Sequence, residues 1–469
     1  MEQMTVKQIV EACGGTLLHG DEQAPLTGIS LNSREVKEHD LFVPLIGERV
    51  DAHRFVEQAL EAGAGAVLTA EHNQVPDGWN GKTGDGIYEK AWIAVSDTKK
   101  ALQDIGRYCR SRLTLPLVGV TGSVGKTTTR EMIAAALSAG FQVYKTPGNL
   151  NSQVGLPVTI SEIKKEDEIG VIELGMSEPG ELTIIAQIAR IHMAVITNIG
   201  IAHIEQLGSQ ENILREKLTI QDGMEEGGIL FLNGDDELLK DITAKAGCRT
   251  IYYGTGANSQ YRAENISMNE GYAQFTAVCG EKQVDVKLHV PGRHQVLNAM
   301  VALAVADQNG VDLEKAARAL EEFGGFKNRQ QIHEMDDFTL IDDTYNASPV
   351  TMCGAIDILV SMKKAARRVA VLADMKELGP ESCRYHREVG EYLGKLPVDL
   401  LVTYGELAKS IEDGALNVNP SLKAVHFSDK QELMQWLKGE KKPGDCILLK
   451  GSNSMKLGEV AEYVCQCHH

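Results

Sequence analysis

The residues with the clearest chemical meaning are Val120-Thr-Gly-Ser-Val-Gly-Lys-Thr127, a glycine-bearing turn between the apolar run LVGV and a helix start at KTTTREM. Backbone N–H groups at such a junction face an anion together with the positive end of the helix, and Gly122 and Gly125 permit its close approach. Thr121, Gly122, Ser123, Val124, Gly125, Lys126, Thr127 and Thr128 are therefore the candidate phosphate-binding residues of a bound nucleotide. Lys126 would hold the β and γ phosphates, and Thr127 would offer a hydroxyl to Mg²⁺. The strict pattern G-x-x-x-x-G-K-[ST] is broken only at position 120, which is Val. A plain glycine-rich turn with an incidental lysine is the alternative, and the flanking strand and helix argue against it. Such a loop serves kinases, ATPases, GTPases and ligases alike. No Asn-Lys-x-Asp follows to read guanine, which counts against a GTPase switch.

Two further residues belong to the same region. Glu173 follows the apolar run IGVI, and His203 follows MAVITNIGIA. In a parallel sheet both emerge at the carboxyl ends of strands, beside the phosphate loop, where a carboxylate and a neutral imidazole are candidate cation ligands. Each taken singly reads as well as an ordinary loop residue; their shared location raises the functional reading.

These side chains need a frame. From Leu113 the chain alternates strand, glycine turn and helix, with further strands at 169–174 and 193–198, the pattern of a mostly parallel sheet with helices on both faces. After Arg329 a second such series appears: VAVLADM, a helix near 384–393, DLLVTYG, AVHF, a helix near 430–437, and CILLKGS. Before residue 113 a helix is expected from His53 to Ala62, with Phe55, Val56, Ala59 and Leu60 on one face, then a strand in GAGAVLTA, a loop over 71–90 and a strand in AWIAVSD. The expected fold class is α/β in three domains. Residues 1–113 form a small mixed α/β domain, 114–328 the central P-loop domain, and 329–469 a Rossmann-like α/β domain.

Composition narrows the partners. With 65 acidic and 47 basic residues the net charge is −18, so an extended nucleic-acid groove would work against the mean field, whereas small anions need only a few local cations. No apolar run approaches the length of a membrane span, and the start MEQMTVKQIVEACGG lacks the pattern of a signal peptide, so neither membrane insertion nor export is expected. Nine cysteines scattered without C-x-x-C spacing read as reduced thiols of a cytoplasmic protein. The terminal Cys465-Gln-Cys467-His468-His469 reads as a frayed tail rather than a metal site.

A resemblance then becomes specific. TGSVGKTTT (121–129), GNLNSQVGLP (148–157), ELG (173–175), TNIGIAHIE (197–205), Lys217 in ILREKLTI, GRHQVLNAMVALAVA (292–306), DDTYNASP (342–349), LADMKELG (372–379) and KGSNSMKL (450–457) resemble, in order, the motifs of the ATP-dependent Mur ligases. These enzymes build the cytoplasmic precursor of peptidoglycan. DDTYNASP and LADMKELGP are similar to the member that adds the terminal dipeptide, and the DNPR-type motif of the member that adds the third residue is absent. The resemblance implies that ATP phosphorylates the free carboxylate of UDP-N-acetylmuramoyl-tripeptide and that the amine of D-Ala-D-Ala displaces phosphate. It assigns catalysis to Lys126, Glu173, His203 and Lys217, with Thr127, Glu173, His203 and Lys217 around Mg²⁺. It assigns His294, Asn298, Arg329 and Asp343 to ATP, and Ser33, Arg34, Asn149, Asn151, Ser152, Tyr345, Asn346, Lys450 and Ser452 to the other substrates. Read without it, His294 and Asn298 are equally a helix cap and a buried polar residue. Asn32 and Asn453 stand where the family usually has Asp and Arg. A monomer is expected. A related ligase adding another amino acid or dipeptide is the rival within the class, and a nucleotide-binding regulator that hydrolyses nothing is the rival outside it.

Lys217 has its own argument. A helical wheel from Ile213 at about 100° per residue puts Leu214, Lys217, Leu218 and Ile220 in one sector and Arg215, Glu216 and Thr219 elsewhere. A lysine on an apolar face either snorkels to its edge or stays buried as a neutral amine able to react with CO₂. The family resemblance implies a carbamylated lysine at this position.

Overall fold

The computed structural model describes residues 3–47, 50–76, 79 and 81–466. Of the terminal cluster, Cys465 lies in the helix Leu457–Gln466, and Cys467, His468 and His469 lie outside the described residues.

The strand Leu117–Thr121 is buried along its whole length, as a central strand covered on both faces must be. It pairs in parallel with Ile169–Glu173 on one side and Ile191–Ile196 on the other, so three carboxyl ends open at one edge of the sheet. Val143–Lys145 lies beyond the first neighbour. Beyond the second come Met224–Asn233 and Arg249–Gly254, both parallel, and then Tyr261–Asn269, Tyr272–Cys279 and Lys282–Pro291, which run antiparallel to one another and complete nine strands.

Side chains of the central strands alternate between two cores. Val118, Val120, Ile169, Val171 and Val195 pack with the helices Lys126–Leu137 and Gln295–Gln308. Leu117, Ile172, Ala194 and Ile196 pack with Gly155–Glu162 and Glu181–Ala189 on the other face. Each fully buried aliphatic side chain contributes about 1.5–3 kcal/mol, so the phosphate loop rises from the most firmly held strands of the sheet.

Toward the N-terminus a separate five-stranded sheet has the order 16–19, 91–94, 66–69, 40–42, 28–30, its first pair antiparallel and the rest parallel. The single helix expected from His53 is instead a 3₁₀ turn Ala52–Phe55 followed by the helix Val56–Glu61. Asp51 Oδ1 accepts from both the backbone N–H and Nδ1 of His53, and this local capping holds the tighter first turn. Toward the C-terminus, Phe338–Asp343, Asp445–Lys450, Arg367–Ala373, Leu400–Tyr404 and Lys423–Phe427 form a parallel sheet, with Gln331–Glu334 antiparallel at its edge. Among the described residues no helix is long and apolar enough to cross a membrane.

Candidate active site

Where the strand Leu117–Thr121 ends, the backbone must turn inside a space too small for side chains. Gly122 has φ 149° and Gly125 φ 85°. A Cβ at Gly122 would fall 1.9 Å from Thr197 Oγ1, so only glycine fits. The loop is braced from the neighbouring strand. Ser123 N–H donates to Asn198 O (3.0 Å) and Val124 N–H to Asn198 Oδ1 (3.0 Å), while Thr197 Oγ1 donates to Val124 O (2.6 Å). The helix Lys126–Leu137 then starts with no side-chain cap, leaving its first N–H groups turned toward the gap.

Lys126 folds back to donate from Nζ to Gly122 O at 3.0 Å. Lys126 is half-buried at this helix start. Loss of water pushes its pKa down, Glu173 opposes the shift, and Arg329 adds to it. Thr127 Oγ1 donates to Glu173 Oε2 at 2.9 Å. The other oxygen of Glu173 accepts from Asn151 Nδ2 at 2.8 Å. Arg329 NH2, arriving from beyond the central sheet, reaches Thr127 Oγ1 at 3.0 Å while its guanidinium stacks 3.9 Å from the Tyr345 ring. Lys126, Thr127, Asn151, Glu173, Arg329 and Tyr345 are thus brought together; the spacing places only Lys126, Thr127 and Glu173 here, and Asn151, Arg329 and Tyr345 join them.

Lys217 lies on the helix Gln210–Leu218 and is only 2% exposed, so it does not snorkel. Burial drives its pKa well below that of an ordinary lysine, and the charge of Lys126 pushes the same way. Its neighbour Glu216, placed away from the apolar sector by the wheel, is also buried. The reason is a partner the wheel does not see: its two oxygens accept from Gly180 N (2.9 Å) and Leu182 N (3.1 Å), capping the helix Glu181–Ala189.

The remaining predicted residues are spread more widely. His203 Nδ1 meets not Glu173 but Glu377 Oε2 of the C-terminal sheet's loops, at 3.0 Å; the pair is close but poorly aligned for a hydrogen bond, and the imidazole's proximity lowers the pKa of Glu377. His294 sits at the N-cap of Gln295–Gln308, and Asn298 is a buried polar group accepting from Thr129 Oγ1 (3.0 Å) and donating to Gln295 Oε1 (2.8 Å). Lys450 Nζ donates to Asp343 Oδ2 at 2.6 Å and to Asn346 O at 3.0 Å, so these residues engage one another. Ser452 Oγ accepts from Lys376 N–H at 2.9 Å. Asn149 and Ser152 are exposed on the loop beside Glu173. In the N-terminal sheet region Ser33 is buried and Arg34 exposed, and Asn32 Oδ1 accepts from Arg34 N–H at 3.1 Å, closing a turn that an Asp would close equally well.

One residue escapes sequence reasoning. Arg130 is 1% exposed and donates to Gly148 O (3.2 Å), Glu173 Oε2 (3.3 Å) and Glu131 Oε1 (2.6 Å), tying the 148–153 loop to the phosphate-loop helix. Its position on the helix face of Thr127 and Ile133 is the only signal a sequence carries, and that face reads as core.

Comparison with known proteins agrees in every part of the chain. The model described as Mur ligase family, catalytic domain matches residues 25–109, Mur ligase middle domain matches 120–306, and Mur ligase, glutamate ligase domain matches 328–453. The UDP-N-acetylmuramoyl-tripeptide–D-alanyl-D-alanine ligase of Bacillus subtilis is 38% identical over 466 residues, covering 98% of each chain. A crystal structure of MurF from Acinetobacter baumannii superposes with a TM-score of 0.88 at 29% identity, covering 99% of each chain. A MurF ligase from Thermotoga maritima in complex with ADP superposes at 0.80 with 30% identity, covering 94% of this chain and 97% of that one.

Proposed function

The chain belongs to the Mur ligase family, and from that premise we propose that it is the ATP-dependent ligase joining D-Ala-D-Ala to UDP-N-acetylmuramoyl-tripeptide. The observation that carries this reading is the convergence of Lys126, Thr127, Glu173, Asn151 and Arg329 on one phosphate loop, in a chain alike to such ligases over its full length.

The reaction brings a carboxylate against a triphosphate, and the two repel. The γ-phosphoryl group passes from ATP to the tripeptide carboxylate, forming a C–O–P linkage and releasing ADP. The D-Ala-D-Ala amine then attacks the acyl carbon, loses a proton, and expels phosphate. Lys126 and the uncapped helix start stabilise the charge that spreads over the transferred group. Arg329, oriented by Tyr345, adds a second cation from the far side. Asn149, Asn151 and Ser152 line the path of the incoming carboxylate.

The Thr127 hydroxyl and Glu173 carboxylate, 2.9 Å apart, are the hard oxygen donors that suit Mg²⁺. When bound, Mg²⁺ neutralises phosphate charge. Lys217 lies near enough to Lys126 to feel its charge, and the family resemblance would bring His203 to the same cation. The buried amine of Lys217 adds to CO₂ as its N–C bond forms and a proton leaves, giving a carbamate that faces the cations as an anion. His294 and Asn298 border the adenine, Asp343 belongs to the same ATP site, and Ser33 and Arg34 border the uridine end. Tyr345, Asn346, Lys450 and Ser452 border the acceptor. Residues 1–113 carry the UDP-substrate, 114–328 the ATP, and 329–469 complete both sites in one monomer acting in the cytoplasm.

The test is phosphate release with UDP-N-acetylmuramoyl-tripeptide, ATP and D-Ala-D-Ala, each omitted in turn. Release should require all three. Release without the dipeptide, or with other amino acids in its place, overturns the reading.

A further inference from the structure

The contact between His203 and Glu377 joins the central sheet's loops to those of the C-terminal sheet. Both residues hold left-handed backbone, at φ 62° and 63°. Neither is Gly, Asn or Asp, so each conformation costs about 1 kcal/mol or more, and the surrounding structure must impose it. The two loops are packed: a Cβ at Gly379 would lie 3.6 Å from Glu205 Cα. The base of the Glu377 loop is fixed as well. Asp374 Oδ1 accepts from Ala408 N–H (2.8 Å), and Lys376 N–H donates to Ser452 Oγ (2.9 Å). The Lys376 ammonium turns back to Asp374 at 2.8 Å, which leaves Glu377 as the loop's charge directed at His203.

His203 Nδ1 is buried and lies 3.0 Å from Glu377 Oε2, near enough for an ion pair although the ring N–H is not aligned on the oxygen, whereas the Glu377 side chain is 57% exposed. A carboxylate on one ring nitrogen fixes the orientation of an imidazole and decides which nitrogen stays free for other partners. We propose that Glu377 is a positioning residue for ligation, which holds the His203 ring through Nδ1 and so makes assembly of the site depend on docking of the C-terminal domain. The inference rests on the reading of His203 as part of that site.

The experiment compares Glu377→Ala, Glu377→Asp, His203→Ala and the double variant His203→Ala/Glu377→Ala. It measures kcat, KM for each substrate, ADP affinity by calorimetry, and Tm. Glu377→Ala should lower kcat about tenfold or more while ADP affinity and the KM for ATP stay within about twofold. Glu377→Asp should recover part of the loss. Against the His203→Ala background, removing Glu377 should cost nothing further. Multiplying losses in the double variant overturn the proposal, as does wild-type kcat in Glu377→Ala. So does a loss shared by kcat, ADP affinity and Tm, which marks a purely structural role. The single variant His203→Ala reports separately on the underlying reading: if it keeps wild-type kcat, His203 is not part of the site. Wild-type enzyme that fails to ligate at all would sink the proposed function instead.

Discussion

Lys126 and Lys217 bring two amines to one end of the central sheet, and burial strips water from both. The charge of Lys126 adds to the burial that drives Lys217 toward its neutral form, and Arg329 acts in the same sense on Lys126. Anionic phosphate is what this arrangement accommodates. Lys126→Ala should therefore abolish turnover. Its one hydrogen bond, to Gly122 O, is balanced by the repulsion it relieves, so stability should change by no more than about 1 kcal/mol. Turnover assays and a melting curve check both halves, and near-normal turnover would refute the assignment. For Lys217 the decisive quantity is its proton. The neutral fraction of an amine grows as pH rises past its pKa, and an ordinary lysine reaches that point only near pH 10; the lowered pKa of Lys217 moves it down. Labelling of native protein with ¹³CO₂ should thus give a carbamate near neutral pH, while exposed lysines stay unlabelled. Lys217→Ala should lose activity at saturating Mg²⁺, and short carboxylic acids should restore part of it. A plain amine in an active, bicarbonate-equilibrated sample would end the idea.

What aims Lys217 is its helix, and the helix is held by Glu216. Two backbone N–H groups at the start of Glu181–Ala189 depend on that one carboxylate. Glu216→Ala should cost about 1–3 kcal/mol by leaving them buried and unmade, seen as a lower Tm, and should reduce turnover because the helix Gln210–Leu218 loses its rotational anchor. Unchanged Tm would show that the cap is not what fixes the helix. Sequence periodicity could not reveal this, since it reports which face of a helix is apolar and not which polar group a neighbouring helix will claim. The phosphate loop was legible because Gly122 and Gly125, at φ 149° and 85°, mark a strand-to-helix turn in the chain itself, although the neighbouring Thr197 also demands glycine at 122. The strand Tyr261–Asn269 was not: Tyr261 and Ala263 are buried, then Ile266 and Met268 turn inward after an irregularity in the pairing around Asn265, whose φ is 53°. That extra residue shifts the alternation from odd to even positions, so no unbroken period marks the strand.

At the scale of the whole molecule, the groups that must meet are carried by different sheets. Three domains were legible because two strand–helix series begin at Leu113 and after Arg329 and leave a smaller mixed region before them; their mutual placement was not, because it rests on single long-range contacts such as Arg329 with Thr127 and His203 with Glu377. The connection near residue 329 has the character of a joint. Asn328 and Gln330 both adopt positive φ, at 61° and 54°, and Asn328 Nδ2 is tied to Asp342 and Thr344 of the C-terminal sheet, each at 3.1 Å. On the other side a hydrogen-bonded chain runs from Thr129 through Asn298 and Gln295 to Gln330, linking the phosphate-loop helix to the same joint. A ligand that pulls on the phosphate loop and on Arg329 at once therefore has differential contacts with open and docked arrangements, which is what a shift in population requires. On the proposed reading, nucleotide alone would engage the loop and the UDP-substrate alone the N-terminal sheet, so neither should suffice. Solution scattering should show the smallest radius of gyration when a non-hydrolysable ATP analogue and the UDP-substrate are both present, with smaller changes for either alone. An identical radius in the free and doubly liganded protein would mean that the domains are already docked and that binding selects nothing.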